Sequence, residues 1–403
     1  MDLLVAIDHR FEQTPDGAVW SWFFDQAFWT RYLDVFERVR VLGRAKPVET
    51  PAAIARRSDG PRVSFVPLPF YRGPAQYLAQ VRAIRQALCA ALRPAGAVIL
   101  RGGQISNSLA KTLAAAGRPY GLEVVGDPYD VFAPGTGSGV LRPFFRWWYP
   151  RQLRRLCRES RAVAYVTETA LQERYPPAPG AFATHYSSID LPADALAATS
   201  RSVVAPCRNL LAVGTMDQLY KGQHVLLDAF ARTVREGADL TLALAGDGRN
   251  RPRLEEQARK YGLGGRVRFL GALRPGAAVR EQMDRADLFV LPSLQEGLPR
   301  ALIEAMARGL PCLATTVGGT PELLPGEDRV PAGDPSAMAR KILEVHADVP
   351  RLNRMADRNL RRSRLYLADE LRIRRIEFYR RVEAATMEWQ NAGTATGGAA
   401  CAS

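Results

Sequence analysis

The sequence predicts an α/β protein built from two parallel-sheet domains, and three observations carry that prediction. The chain has 403 residues, more than one ordinary hydrophobic core accommodates. In its second half, short and nearly all-apolar runs alternate with segments of helical periodicity, the pattern of strands buried on both faces of a parallel sheet. The first half follows the same alternation, and the two halves share no internal sequence repeat.

Taken in order, strands are expected at 3–7, 38–42, 63–67, 97–100, 121–125 and 162–166, with helices near 20–36, 75–92, 105–116, 145–158 and 168–174. The stretch 191–208 combines prolines with small residues and reads as the connection between domains. Beyond it, apolar runs at 209–213, 240–245, 267–270, 288–291 and 311–314 are expected strands. Helices are expected between them: over 222–235, where Val225, Leu226, Phe230 and Val234 recur at helical spacing, around 252–261 and 277–285, and from Pro299 to Gly309. Residues 368–390 read as a long Arg-rich helix with an apolar stripe of Leu371, Phe378, Val382, Ala385 and Trp389, interrupted by Arg375. Asn391 to Ser403 has the composition of a disordered tail. The expected units are therefore 1–195, 205–366, a helix at 367–390 packing back on the first domain, and a tail at 391–403.

Composition narrows the chemistry. The formal charge is +14, from 55 Lys and Arg against 41 Asp and Glu, which favours anionic partners without choosing among nucleotides, nucleic acid and membranes. The five cysteines (Cys89, Cys157, Cys207, Cys312, Cys401) are odd in number and far apart, so neither a disulfide framework nor a zinc site is expected. No recognised nucleic-acid module is present. The N-terminal MDLLVAIDH reads as a first strand, and no apolar run approaches the about 20 residues that cross a bilayer. The expected location is the cytoplasm. Residues 142–158 mix arginines with Phe, Trp and Tyr. That suits the interface of an anionic membrane as well as it suits an ordinary helix packing its aromatics inward, and both readings stay open.

The chemically informative segment runs from Leu291 to Gly309. A buried strand ends at Leu291, a loop follows with Ser293, Glu296 and Gly297, and a helix opens at Pro299, expected at its first position. Unsatisfied N–H groups and the positive end of the helix dipole then stand at the sheet's C-terminal edge, where open α/β sheets bind ligands. A diphosphate is suited to that place. Glu296 and Glu304 can face the same crevice, where carboxylates accept hydrogen bonds from sugar and ribose hydroxyls. Taken alone, two acids at a helix start equally fit simple complementation of the dipole, and Gly246-Asp247-Gly248 equally fits a tight turn.

The wider context adds weight. Glu296 and Glu304, separated by seven residues, are followed by Ala305-Met-Ala-Arg-Gly-Leu-Pro311 and Val317-Gly-Gly-Thr-Pro-Glu322. They are preceded by Val213-Gly-Thr-Met-Asp-Gln-Leu-Tyr-Lys-Gly222, Ala245-Gly-Asp-Gly248 and Val267-Arg-Phe-Leu-Gly271. In this order the motifs resemble glycosyltransferase family 4, whose members have the GT-B fold, two Rossmann-like domains facing a central cleft. The resemblance implies a retaining hexosyltransferase that moves a sugar from a UDP- or GDP-sugar to a lipid-linked or saccharide acceptor in cell-surface polysaccharide or glycolipid synthesis. It implies neither cofactor nor bound metal, the nucleotide-sugar being a substrate.

By the same resemblance Glu296 would contact the donor sugar and Glu304 the ribose. The segment Gly297, Leu298, Pro299 and Arg300 would receive the diphosphate and Lys221 would neutralise it, with Gly214, Thr215, Gly246, Gly248 and Gly271 bordering the donor. Many relatives carry an arginine where Thr215 stands, and Arg300 is a candidate replacement. The first domain would bind the acceptor, with Asp127, His9 and Gly17 on that side and the loop from Asp8 to Gly17 facing the cleft. Glu296, Asp127 and Lys221 are the candidate catalytic residues. Whether a covalent or a front-face step operates stays open. So do two other activities: a nucleotide-sugar epimerase, and a non-catalytic nucleotide- or membrane-binding protein.

Overall fold

The computed structural model describes residues 1–93, 95–132 and 141–395. The first sheet contains β1 (Asp2–Gln13), β2 (Val19–Ser21), β3 (Arg38–Pro47), β4 (Arg56–Arg57), β5 (Val63–Leu68), β6 (Ala97–Leu100), β7 (Gly121–Val124), β8 (Ala162–Tyr165) and β9 (Phe182–His185). The second contains β10 (Asn209–Val213), β11 (Thr241–Ala245), β12 (Val267–Gly271), β13 (Leu288–Leu291), β14 (Cys312–Thr315) and β15 (Arg329–Val330). The parallel strands of the first sheet run β5-β3-β1-β6-β7-β8-β9, and those of the second run β12-β11-β10-β13-β14-β15. In each sheet the chain moves outward to one edge and returns to the other side of the starting strand. This reversal opens a crevice at the strands' C-terminal ends, between β1 and β6 in one sheet and between β10 and β13 in the other.

The central strands β6, β7, β8, β13 and β14 are buried at every residue, as their apolar sequences require. The two units are not separate cores. One apolar cluster runs from Leu3 and Ile99 of the first sheet to Phe289, Leu302 and Ile303 of the second. The connecting segment is also tied down. Arg201 donates to the carbonyls of Met283, Ala286 and Arg308 at 2.6, 2.6 and 3.0 Å, satisfying groups left open at two helix C-termini.

Several expectations are corrected. Residues 20–36 are not one helix: β2 pairs with the end of β1, and only Gln26–Thr30 is α-helical before a 3-10 turn at Arg31–Asp34. Residues 8–17 are not a loop over the cleft. After a bulge, β1 pairs again with β3 through Arg10–Gln13 and turns back in a hairpin. β9 (Phe182–His185) has too little apolar character to be read as a strand from sequence. The helix expected near 145–158 is longer, running from Arg142 to Glu159 with Pro150 inside it. Pro299 is the N-cap, extended at φ −73° and ψ 106°, so the helix it opens is Arg300–Ala307. The final helix, Ala368–Ala395, passes residue 390, and residues 396–403 with Cys401 lie outside the described part.

That final helix lies on the first sheet, against β6 to β9. Leu371, Phe378, Tyr379 and Val382 form its buried face. Arg375 does not interrupt this face. It is buried beside Tyr186 and Tyr379, at a polar cluster in which the Tyr32 and Tyr186 hydroxyls donate to Glu123 at 2.9 and 2.7 Å and Arg101 ion-pairs with the same carboxylate. The Glu123 carboxylate is tolerated inside a strand as apolar as β7 because both of its oxygens are bonded, while Arg101 Nε, Arg375 Nε and the Tyr379 hydroxyl of the same cluster have no hydrogen-bond partner among the described residues. Phe378→Ala removes a fully buried ring, and the unfolding free energy is expected to fall by about 3–5 kcal/mol, measured by chemical denaturation with tryptophan fluorescence.

Candidate active site at the edge of the second sheet

The crevice of the second sheet lies between β10 and β13, and the loops that follow these strands meet there. After β10 the chain turns through Gly214, whose N–H donates to the Ala245 carbonyl at 2.9 Å, and reaches a 3-10 turn at Leu219–Lys221. Gly222 closes that turn at φ 74°, and a Cβ there would lie 1.9 Å from the Pro292 carbonyl. Only glycine lets the two loops approach this closely. The Leu294 N–H then donates to the Tyr220 carbonyl at 2.7 Å, joining the loop after β13 to the loop after β10.

This seam brings Lys221 to Glu296. The Lys221 ammonium lies 2.7 Å from Glu296 Oε1, and Ser293 Oγ donates to the same oxygen at 2.7 Å. The Glu296 side chain is only 8% exposed, so an unpaired carboxylate here would carry a heavy desolvation cost. Ser293 is held in turn by Thr315 of β14, whose hydroxyl donates to the Ser293 carbonyl at 2.5 Å. Among the described residues, the N–H groups of Gly297 and Leu298 donate to no protein acceptor, which leaves them free for an anion at the helix start.

Glu304 lies on the helix behind Pro299, and among the described residues its carboxylate has no hydrogen-bond partner. Burial pushes its carboxyl above the usual range, against the opposing pull of Arg300 and Arg280. Arg300 is exposed and on the Glu304 side of the helix start. Thr215 makes a local turn, accepting from the Asp217 N–H at 3.2 Å. Gly246, at φ 144°, abuts the Gly214 carbonyl so closely that a Cβ would lie 1.9 Å from it, and its N–H donates to the Gly271 carbonyl at 2.8 Å. Gly248 follows on the same loop, its N–H held by Asp247 Oδ1 at 2.7 Å. The glycine motifs thus assemble side by side beyond β10, β11 and β12. Among the described residues, no group of three or more His, Cys, Asp or Glu is placed to hold a metal.

Three contributors do not stand out in the sequence. Gln223, 4% exposed, donates to the carbonyls of Gly214 and Thr215 at 3.2 and 3.1 Å, pinning the loop where the missing arginine would stand. Ser293 reads as a loop residue, and its role as a partner of Glu296 emerges only in the fold. Glu322 accepts from the N–H groups of Glu168, Thr169 and Ala170 at 2.6, 3.0 and 2.8 Å, fastening the second unit to the first. A polar residue in the first turn of a helix is the available signal for Gln223; Glu322 closes the Val317–Glu322 motif, which does not reveal its partners in the other unit.

Opposite the crevice, Gly297 meets the first domain, where a Cβ would lie 2.9 Å from the Val125 carbonyl. Asp127 is close by in sequence, but its carboxylate is engaged within its own domain. It accepts from the Tyr129 N–H at 2.8 Å, from the Tyr175 hydroxyl and from Arg174. His9 sits on β1 among Phe11, Phe23 and Phe24, with Nε2 3.0 Å from Ser21 Oγ. Burial first, then Arg44 and Arg10, lower its pKa to about 4, so it is neutral at neutral pH. Gly17, at φ 84°, is in the turn between β1 and β2 with no neighbour at its Cβ position.

Residues 207–348 match the family profile described as glycosyl transferases group 1. The chain is a glycosyltransferase. It is 26% identical over 321 residues to Protein CapJ of Staphylococcus aureus, covering 79% of this chain and 80% of that one. It is 35% identical over 120 residues to the phosphatidylinositol N-acetylglucosaminyltransferase gpi3 subunit from Schizosaccharomyces pombe, covering 29% of this chain and 26% of that protein. The fold is GT-B. Sucrose-phosphate synthase from Thermosynechococcus elongatus superposes with a TM-score of 0.71 at 18% identity, over 96% of this chain and 100% of that one. Anabaena Alr3699/HepE in complex with UDP and glucose superposes at 0.62 and 18%, over 94% and 98%.

The state of Glu304 in this glycosyltransferase has a measurable consequence. A carboxyl whose folded-state pKa is raised contributes stability that is present at low pH and is lost as pH rises through the folded value. Glu304→Gln is therefore expected to raise the melting temperature of the ligand-free protein at pH about 7, and to change it little at pH about 3, below the unperturbed glutamate value of about 4.3, where the carboxyl is protonated in both folded and unfolded states. Thermal scans at the two pH values check the sign.

Proposed function

We propose that the chain is a retaining glycosyltransferase that transfers a hexose from a UDP- or GDP-sugar to a lipid-linked or saccharide acceptor, in cell-surface polysaccharide or glycolipid synthesis at the cytoplasmic face of a membrane. Residues 205–366 bind the donor and residues 1–195 the acceptor. The observation that carries this reading is the Lys221–Glu296–Ser293 contact at the strand-order reversal of the second sheet, beside free helix-start amides.

In the donor complex the diphosphate draws on Lys221 and on the N–H groups of Gly297 and Leu298. This is electrostatic stabilisation aimed at the charge that grows on the leaving group. Glu296, released by Lys221, turns to the hydroxyls of the donor sugar, and Glu304 accepts from the ribose. Desolvation that is unfavourable for Glu304 alone is offset when hydroxyls donate to it. Arg300 supplies further positive charge at the phosphates, in the role many relatives give to the residue after Gly214. Charge neutralisation by these groups requires no bound metal. A donor of this class is also supported by the fold shared with HepE, which is solved with UDP and glucose. A lipid acceptor is supported by the relative named as a phosphatidylinositol N-acetylglucosaminyltransferase component.

Glu296→Ala and Lys221→Ala are each expected to lower sugar transfer by about 10²-fold or more, with the folded state retained by circular dichroism. Glu304→Ala is expected to abolish the thermal stabilisation that UDP or GDP confers on the wild type. Transfer with excess EDTA is expected to run at the untreated rate. Full transfer activity in both Glu296→Ala and Glu304→Ala overturns the assignment.

A further inference from the structure

The first sheet has its own reversal of strand order, between β1 and β6, and its C-terminal edge carries an unusual charge arrangement. The register places Arg10 of β1 beside Arg44 of β3. Residues paired in this way project to the same face, so two guanidiniums are set side by side, an arrangement that costs stability unless it is compensated. Arg72 follows β5, and its charge and that of Arg44 both act on Arg10.

Compensation is incomplete. Asp8 Oδ1 lies 2.6 Å from Arg44 Nη2, and Asp8 Oδ2 is already used by the Gln104 N–H at 2.8 Å. Arg44 is further fixed by the Tyr71 carbonyl at 3.1 Å. Arg10 and Arg72 are exposed and make no ion pair among the described residues. The adjacent His9 is neutral and contributes nothing. Arg44, 8% exposed, is thus closed by Asp8 and by the Tyr71 carbonyl and ring, and the charge left without a carboxylate is that of the exposed Arg10 and Arg72. Arginine forks of this kind match phosphate oxygens in both charge and geometry.

A cavity lies two rings away from the cluster, since Arg44 packs on the Tyr71 ring at 4.6 Å. The Tyr71 and Tyr77 rings are 5.3 Å apart, and the Tyr77 hydroxyl is 3.0 Å from Ser108 Oγ. Tyr77, Ser108 and Gln104 all line a cavity of about 930 Å³ between the helices Val81–Ala91 and Gly103–Ala115. Leu88, Leu92 and Trp148 supply apolar wall. Asn107, 4% exposed, lines the cavity with an Oδ1 that has no hydrogen-bond partner among the described residues. Trp148 belongs to the helix Arg142–Glu159, and on that helix Phe144 and Trp147 are about half exposed, at 51% and 52%. Aromatic side chains facing outward among arginines suit a membrane interface, so a chain drawn from a bilayer has a route to the groove.

We infer that Arg10 and Arg72, with the buried Arg44 adding positive charge behind them, hold the phosphate of a lipid-phosphate acceptor whose hydrocarbon chain lies in the groove lined by Leu88, Leu92 and Trp148. This assignment rests on the proposed acceptor role of the first domain and gives that acceptor a chemical class.

The test uses the full chain with farnesyl phosphate, farnesol and inorganic phosphate as probes, and UDP and GDP as independent controls, with affinities read by calorimetry. Farnesyl phosphate is expected to bind the wild type at least about 10-fold more tightly than either farnesol or inorganic phosphate. The double variant Arg10→Ala/Arg72→Ala is expected to lose that preference for farnesyl phosphate and to keep nucleotide binding. Leu92→Asp is expected to weaken farnesyl phosphate while leaving inorganic phosphate unchanged. Unaltered farnesyl phosphate affinity in the double variant overturns the inference. So does inorganic phosphate or a soluble sugar phosphate binding the wild type as tightly as farnesyl phosphate. Nucleotide binding without any farnesyl phosphate binding sinks this inference alone, whereas loss of nucleotide binding in the wild type sinks the donor reading.

Discussion

A buried carboxylate needs a cation, and in this protein the need is met across the reversal in strand order of the second sheet. Glu296 follows β13 and Lys221 follows β10, and the 2.7 Å contact between them forms only when those strands are neighbours. The supporting details serve the same contact. Gly222 lets the two loops touch, Ser293 adds a second donor, and Thr315 holds Ser293 from the next strand. In the ligand-free protein the pair is self-neutralising. On the proposed reading, a diphosphate that competes for Lys221 would convert this internal ion pair into two ligand-binding groups, neither of them unpaired in the ligand-free state.

The first domain solves its buried-charge problem differently. Glu123 is fully surrounded by Tyr32, Tyr186 and Arg101, with Arg375 of the final helix at the same cluster. The carboxylate itself is satisfied, and the final helix seats on the sheet beside it through the buried faces of Phe378, Tyr379 and Val382. The cluster of Arg10, Arg44 and Arg72 has no comparable closure. Within one domain, then, some charge is paired internally, and some, at Arg10 and Arg72, is left facing solvent at a strand edge. Asp127 belongs to the first kind: its partners Arg174 and Tyr175 account for its carboxylate without any substrate.

The domains are also coupled more tightly than two modules joined by a linker. A single apolar cluster crosses between them, and Glu322 caps the helix start at Ala170 from the opposite unit. Glu322 follows the Gly318-Gly319 pair, and the Gly319 N–H donates to the Gly297 carbonyl at 2.7 Å. The donor loop, the glycine pair and the interdomain contact are consecutive links, so a displacement of one domain is transmitted to the loop that carries Glu296.

The sequence by itself determined most of the second domain. Its central strands are nearly all apolar, and the motifs that carry the family resemblance lie in order along roughly a hundred residues, so Glu296, Glu304 and Lys221 could be named as candidates from the sequence. The first domain was less legible because its exceptions are tertiary. β1 continues past Ala6 only because β3 offers a second register after a bulge, β9 is a strand because β8 lies beside it, and Pro150 stays helical within a long packed helix. Partners far apart in sequence were also out of reach: Glu322 with Thr169, Glu123 with Tyr186, Arg10 beside Arg44. Periodicity reports which face of an element is buried. It carries no record of which other element covers that face, and the charge arrangements on which binding depends are set by that choice.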